Sequence, residues 1–248
     1  MRFTPKCPTM RQMPFEQRDY FRSHATSSLF ARMRWWSITT WLIAINIVVY
    51  LADVVSQRNL FQWGYFSAET AIYHLQLWRF ITFQFLHASV THILFNMIAL
   101  YFFGPMIERY LGPRRYLGFY LLCGISGAVM YLLLMYARVP GFVAYVPLIG
   151  ASAGILGILI AAARIAPNAQ VMLLIPPIPM RLRTLAWIFI GIAVVTIIAQ
   201  GSNAGGEGAH LGGAATGFLL ITRPQLLRIF DFNWWRRPPR GPRISNWR

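Results

Sequence analysis

Six apolar stretches, at about 36–55, 92–111, 115–137, 150–166, 184–200 and 208–222, alternate with short polar segments along the 248 residues. Each is close to the length at which a helix rising 1.5 Å per residue traverses a hydrocarbon layer about 30 Å thick. Inside such a layer the backbone must satisfy its own hydrogen bonds, which leaves helices or closed barrels. No strand-like alternation runs through the chain and no repeat of fixed period stands out, so the sequence predicts an all-α polytopic membrane protein with six transmembrane helices. Composition agrees: 56% of residues are hydrophobic, 15% aromatic and only 12% charged, where a soluble domain carries charge on about a quarter.

The net charge of +16 would point to nucleic acid on a soluble chain, but its distribution reads first as a topology signal. With the N-terminus inside, both tails and the 2–3 and 4–5 connections lie on the inner face. All but Arg58, Arg79 and Arg138 of the 23 Lys and Arg residues then lie inside. The positive-inside rule selects this orientation, with N- and C-termini cytoplasmic. The expected organisation is a basic tail at 1–34, a membrane domain at 35–224 and a second basic tail at 225–248. The first tail is too long and polar for a signal-peptide n-region and is expected to be retained. Anionic lipid is the expected contact of both tails; nucleic acid is not expected. Cys7 and Cys123 are too few for a disulfide framework and too isolated for a metal site.

Two connections stand out. The outer one at about 56–91 is long and rich in aromatics, among them Trp63, Phe66, Tyr73, Trp78 and Phe83, and is expected to pack on or into the outer leaflet. The inner one contains Ile175-Pro176-Pro177-Ile178-Pro179, which cannot continue a helix and is expected at the interface.

Spans 2, 4 and 6 run from outside to inside, and each opens with polar or small residues. Span 2 has His92 and Asn96, four apart and so on one helical face; span 4 has Gly150-Ala151-Ser152-Ala153-Gly154; span 6 has Ala209-His210-Leu211-Gly212-Gly213. Counting from Ser152 to Arg164 gives about 18 Å, and from His210 to Arg223 about 20 Å, so both side chains fall roughly 10 Å below the outer boundary. Gly213 and Gly217 form a small-xxx-small pattern that would let spans 4 and 6 approach closely.

These groups suit nucleophilic chemistry. A serine hydroxyl needs a base to take its proton, and neutral histidine serves. A developing oxyanion needs donors, for which the His92 ring, the Asn96 amide and the Ser152 backbone N–H are candidates. No acid lies within spans 4 or 6. Glu207, one turn before His210, could orient that ring, although an acid there more often complements the helix dipole.

The motifs together resemble the rhomboid family of intramembrane serine proteases over about residues 76–217. Trp78-Arg79 resembles the family's Trp-Arg pair, and Leu86-His87 followed by His92-Ile93-Leu94-Phe95-Asn96 its histidine and His-x-x-x-Asn segment. Gly104, Glu108 and Gly112 match the glycine/glutamate pattern at the end of span 2. Gly150-Ala151-Ser152-Ala153-Gly154 matches the serine motif, and Ala209-His210 with Gly213 and Gly217 the last helix. Leu156 stands where the family often has an aromatic, and Ala153 where glycine is common.

The resemblance implies a six-helix rhomboid bundle with Ser152 as nucleophile and His210 as general base of a catalytic dyad. His92 and Asn96 would line the oxyanion site, and the glycine-rich 201–207 connection would cap it. It further implies cleavage in or beside transmembrane segments of membrane-protein substrates, with no cofactor, no metal and no obligate partner. Trp78 and Arg79 are expected to anchor the outer loop at the headgroups, and Glu108 to tie the inner end of span 2 to nearby backbone or Arg. His87 is read as a hydrogen-bonded structural residue or as part of the site or its water path. The expected location is a bacterial cytoplasmic membrane with the site open to the outer side, an organellar import signal in the Arg-rich tail being the alternative. Two other readings meet objections in the sequence. An α/β-hydrolase elbow at Gly150–Gly154 lacks flanking strands, and an inactive rhomboid-like client-binding protein would be expected to lose the serine or the histidine, both present here.

Overall fold

The computed structural model describes residues 36–173 and 177–231. The expected tail at 1–34, most of that at 225–248, and Pro176 with its two predecessors lie outside them. The described chain is mostly helical. The long helices are α1 (Ile38–Val55), α4 (Val90–Leu111), α5 (Pro113–Tyr136), α6 (Ser152–Ile165), α7 (Leu182–Ile198) and α8 (Ala204–Thr222), with two short ones, α2 (Asn59–Gly64) and α3 (Arg79–Thr82), inside the outer connection. The six long helices coincide with the six apolar stretches. By length and composition α1, α4 and α5 are long and apolar enough to cross a membrane, while α6 and α7 are shorter apolar helices of 14 and 17 residues.

Local chemistry sets the boundaries. Ser37 caps α1 by accepting from the Thr40 N–H at 3.1 Å, and Ser89 caps α4 by accepting from the His92 N–H at 3.2 Å. Gly112 ends α4 and Pro113 opens α5, where its missing N–H costs nothing. The first turn of α1 is also held from across the bundle. Glu108 on α4 accepts from the backbone N–H groups of Ile38 (2.7 Å) and Thr39 (2.9 Å) and from the Thr39 hydroxyl (2.7 Å), satisfying orphan donors at the positive end of α1. The expected tie of Glu108 to nearby backbone is thus present.

Helix α6 lies innermost, with every residue from Ala153 to Ala162 buried, and packs against α4, α5, α7 and α8. The outer surface is apolar instead: Leu51 and Val55 of α1 and Trp187, Val195 and Ile198 of α7 are all more than half exposed. Such a face is stable only in an apolar solvent, and the fold is that of an integral membrane protein.

Three expectations are corrected. The chain is not purely helical, because the proline-rich inner connection forms a two-stranded antiparallel ribbon, β1 (Gln170–Met172) with β2 (Pro179–Arg181). Pro179 sits at the first position of its strand, where proline is tolerated. Residues 224–231, expected almost wholly in the basic tail, form a 3-10 helix packed against α5 and α8 through buried Leu227, and Arg115 pairs with Asp231 through Nε at 2.7 Å.

The outer connection folds onto the protein. Phe66 and Phe83 are buried, the Phe66 ring meets those of Phe80, Phe83 and Tyr131, and Phe66 exchanges backbone hydrogen bonds with Leu148 just before α6. Trp63, Tyr73 and Trp78 remain outward, with Trp63 and Trp78 stacked at 5.4 Å. The third correction is Arg79, which does not reach toward headgroups. Only 5% exposed, its guanidinium donates to the carbonyls of Tyr65 (2.6 Å) and Gln62 (3.1 Å) and to Gln76 Oε1 (2.6 Å), clamping the loop's own backbone. Burial lowers its pKa.

Candidate active site

Ser152 is the first residue of α6, so its backbone N–H belongs to the first turn, where no intrahelical acceptor is available. The approach to it is fixed from the outer connection by the Phe66–Leu148 pairing and by a hydrogen bond from the Gly150 N–H to the Phe83 carbonyl at 2.9 Å. Gly150 has φ +122°, a conformation that disfavours side chains. Space there is also short, since a β-carbon on Gly150 would lie 2.9 Å from His92 Nε2.

His210 sits in the second turn of α8. Glycines let α6 and α8 come almost to backbone contact: a β-carbon on Gly217 would lie 2.5 Å from Gly157 Cα, and one on Gly213 would collide with the Ala153 backbone. Helix α5 supports the same pair, with Ser126 Oγ donating to the Gly212 carbonyl at 3.0 Å. The outcome is a 2.7 Å hydrogen bond between Ser152 Oγ and His210 Nε2.

The other nitrogen of His210 is also engaged. Nδ1 lies 2.8 Å from Glu207 Oε2, and Glu207 Oε1 accepts from Asn203 Nδ2 at 3.3 Å. The sequence places Glu207 in a 201–207 cap, able to orient His210 but more often expected there as a dipole complement. That cap is shorter than expected, because α7 ends at Ile198 and α8 already begins at Ala204. The longer helix carries Glu207 onto the face of His210, three residues on. The Glu-x-x-His spacing was the available signal.

His92 and Asn96 both stand on the opening turns of α4. His92 Nδ1 accepts a long hydrogen bond from the Ala88 N–H at 3.4 Å, which leaves the proton on Nε2, the nitrogen beside Gly150. Asn96 is 7% exposed and its amide Nδ2 has no acceptor among the described residues. Three polar sets from α4, α6 and α8 are therefore brought to one end of the bundle.

Next to them, His87 is 1% exposed, its ring 5.0 Å from that of His92, and neither of its nitrogens makes a well-formed hydrogen bond among the described residues. Burial, reinforced by the neighbouring His92, pushes its pKa down to about 4. Among the described residues no group of three or more His, Cys, Asp or Glu side chains comes together in a way that could hold a metal ion.

Comparison with known proteins agrees with this architecture. The model of the rhomboid domain matches residues 74–223. RHOMBOID-like protein 12, mitochondrial, of Arabidopsis thaliana is 37% identical over 154 residues, which cover 58% of this chain and 45% of that protein. Rhomboid protease AarA of Providencia stuartii is 29% identical over 219 residues, covering 78% of this chain and 75% of that protein. Rhomboid protease GlpG of Yersinia pestis (strain Pestoides F) is 32% identical over 81 residues, covering 33% and 28%. The chain thus spans less than half the length of the plant relative and less than a third of the Yersinia one. Matched over more than half its length by the family model, the chain belongs to the rhomboid family.

Proposed function

We propose that the protein is an intramembrane serine endopeptidase that hydrolyses peptide bonds in or near transmembrane segments of other membrane proteins. The observation that carries this reading is the 2.7 Å hydrogen bond between Ser152 Oγ and His210 Nε2. In the proposed reaction Ser152 Oγ attacks the scissile carbonyl and its proton passes to Nε2. The oxyanion is stabilised by the Ser152 N–H, His92 Nε2–H and the Asn96 amide. Collapse breaks the C–N bond, the leaving amine takes the proton from Nε2, and water then hydrolyses the acyl-enzyme by the same route.

Burial supports the assignment. The His210 side chain is 20% exposed, dry enough to strengthen electrostatic interactions and open enough for water to arrive. A client-binding protein without proteolysis would have no use for a hydroxyl held against an imidazole.

The same reading has all six long helices crossing the membrane, with both termini on the inner side and the site facing outward. The basic tails contact anionic lipid. The membrane is a bacterial cytoplasmic one or, given the mitochondrial relative, an organellar one.

The test is reconstitution in liposomes with a transmembrane reporter substrate. Wild type is expected to cut it, and Ser152→Ala, folded to the same extent, to leave it intact. Cleavage by the Ser152→Ala variant would refute the nucleophile assignment. For the topology, a cysteine introduced at position 205 should be labelled from the outer side; labelling only from the inner side would overturn it.

A further inference from the structure

Resting on that reading of Ser152 and His210, we propose that Glu207 is a positioning residue that holds the His210 ring in its reactive tautomer and orientation. Nδ1 of His210 faces Glu207 Oε2 at 2.8 Å while Nε2 faces Ser152 Oγ at 2.7 Å, so the imidazole is gripped at both ends. A carboxylate only accepts, which fixes the shared proton on Nδ1. Nε2 is then left with a lone pair to receive the serine proton, as a general base requires.

Glu207 is itself oriented. Its second oxygen accepts from Asn203 Nδ2, and its side chain is only 14% exposed. Among the described residues its ion-pair partner is His210. Three other acids are engaged elsewhere: Asp53 with Arg58, Asp231 with Arg115, and Glu108 with the start of α1.

The effect falls on the chemical step. When Oγ–C forms and the carbonyl π pair moves onto oxygen, the Oγ proton goes to Nε2 and His210 becomes an imidazolium. The proton on Nδ1 stays where it is, and Glu207 remains an anion that faces the new positive charge. Because this interaction strengthens only as the imidazolium forms, it lowers the barrier without tightening substrate binding.

The rival account is that Glu207 merely complements the dipole at the start of α8. Aspartate separates the two, since it keeps the charge in the first turn but is one methylene too short to reach Nδ1. The experiment compares full-length wild type, Glu207→Asp, Glu207→Gln and Ser152→Ala in detergent. It measures the rate of labelling by a fluorophosphonate, kcat and KM on a quenched transmembrane peptide, and thermal midpoint.

Both Glu207 variants are expected to label about 10- to 100-fold more slowly and to lose kcat in proportion, with KM and the thermal midpoint close to wild type. Wild-type rates in Glu207→Asp would overturn the positioning role in favour of the dipole. A rise in KM or a fall in midpoint that accounts for the lost activity would overturn it in favour of a structural role. If wild type itself fails to label, the protease reading falls, and this inference with it.

Discussion

Ser152 Oγ and His210 Nε2 lie 2.7 Å apart, although the residues are separated by 58 positions and belong to different helices. Nothing local produces this contact. It depends on how closely α6 and α8 pack and on how the outer connection aims the chain into α6. Each dependence carries a consequence that can be measured.

The packing is set by glycine. Gly217→Val would drive a side chain into Gly157 across the α6–α8 seam, where the β-carbon alone would lie 2.5 Å from Gly157 Cα. Overpacking of this kind costs about 1–3 kcal/mol or more. The variant is expected to melt several degrees lower and to lose activity with stability, whereas Gly191→Ala, where a β-carbon meets nothing within 4 Å, should behave as wild type. Equal midpoints for Gly217→Val and wild type, measured in detergent, would contradict the seam.

Asn96 offers a buried amide nitrogen without an acceptor among the described residues. If the oxyanion is its partner, Asn96→Ala should lower kcat about 100-fold and leave KM nearly unchanged. Steady-state kinetics on a transmembrane reporter decide it. Unchanged kcat would remove Asn96 from the oxyanion site.

His87, in the outer connection, has its pKa pushed down from 6.5 to about 4 by burial and by its neighbour His92. Between those values the unfolded chain binds more protons than the folded one, so stability is full above about pH 6.5 and is lost as pH falls toward 4. The loss amounts to at most about 3 kcal/mol. Thermal midpoints should fall across that window in wild type and fall less in His87→Gln. Parallel curves for the two proteins would assign the acid sensitivity to other groups.

The long helices were legible because hydrocarbon leaves the backbone few choices, so apolar length alone located all six to within a few residues. Ser152, His210, His92 and Asn96 were legible as candidates because polar groups at the same end of three stretches are costly unless used. The ribbon at Gln170–Met172 and Pro179–Arg181 was not, since three-residue strands carry too little alternation to register. Nor was the inward turn of Arg79, because a sequence gives its charge but not the carbonyls of Gln62 and Tyr65 that fold back to meet it. Glu207 was visible one turn from His210. Its importance depended on the helix starting at Ala204, and helix ends are the least legible feature of a glycine-rich segment.

The central claim is that Ser152 is an activated nucleophile, and labelling of purified protein with a fluorophosphonate tests it most directly. Wild type is expected to be labelled at Ser152, with no labelling of Ser152→Ala and none above background of His210→Ala. Folded wild type that stays unlabelled, or a Ser152→Ala variant that labels as well as wild type, would contradict it.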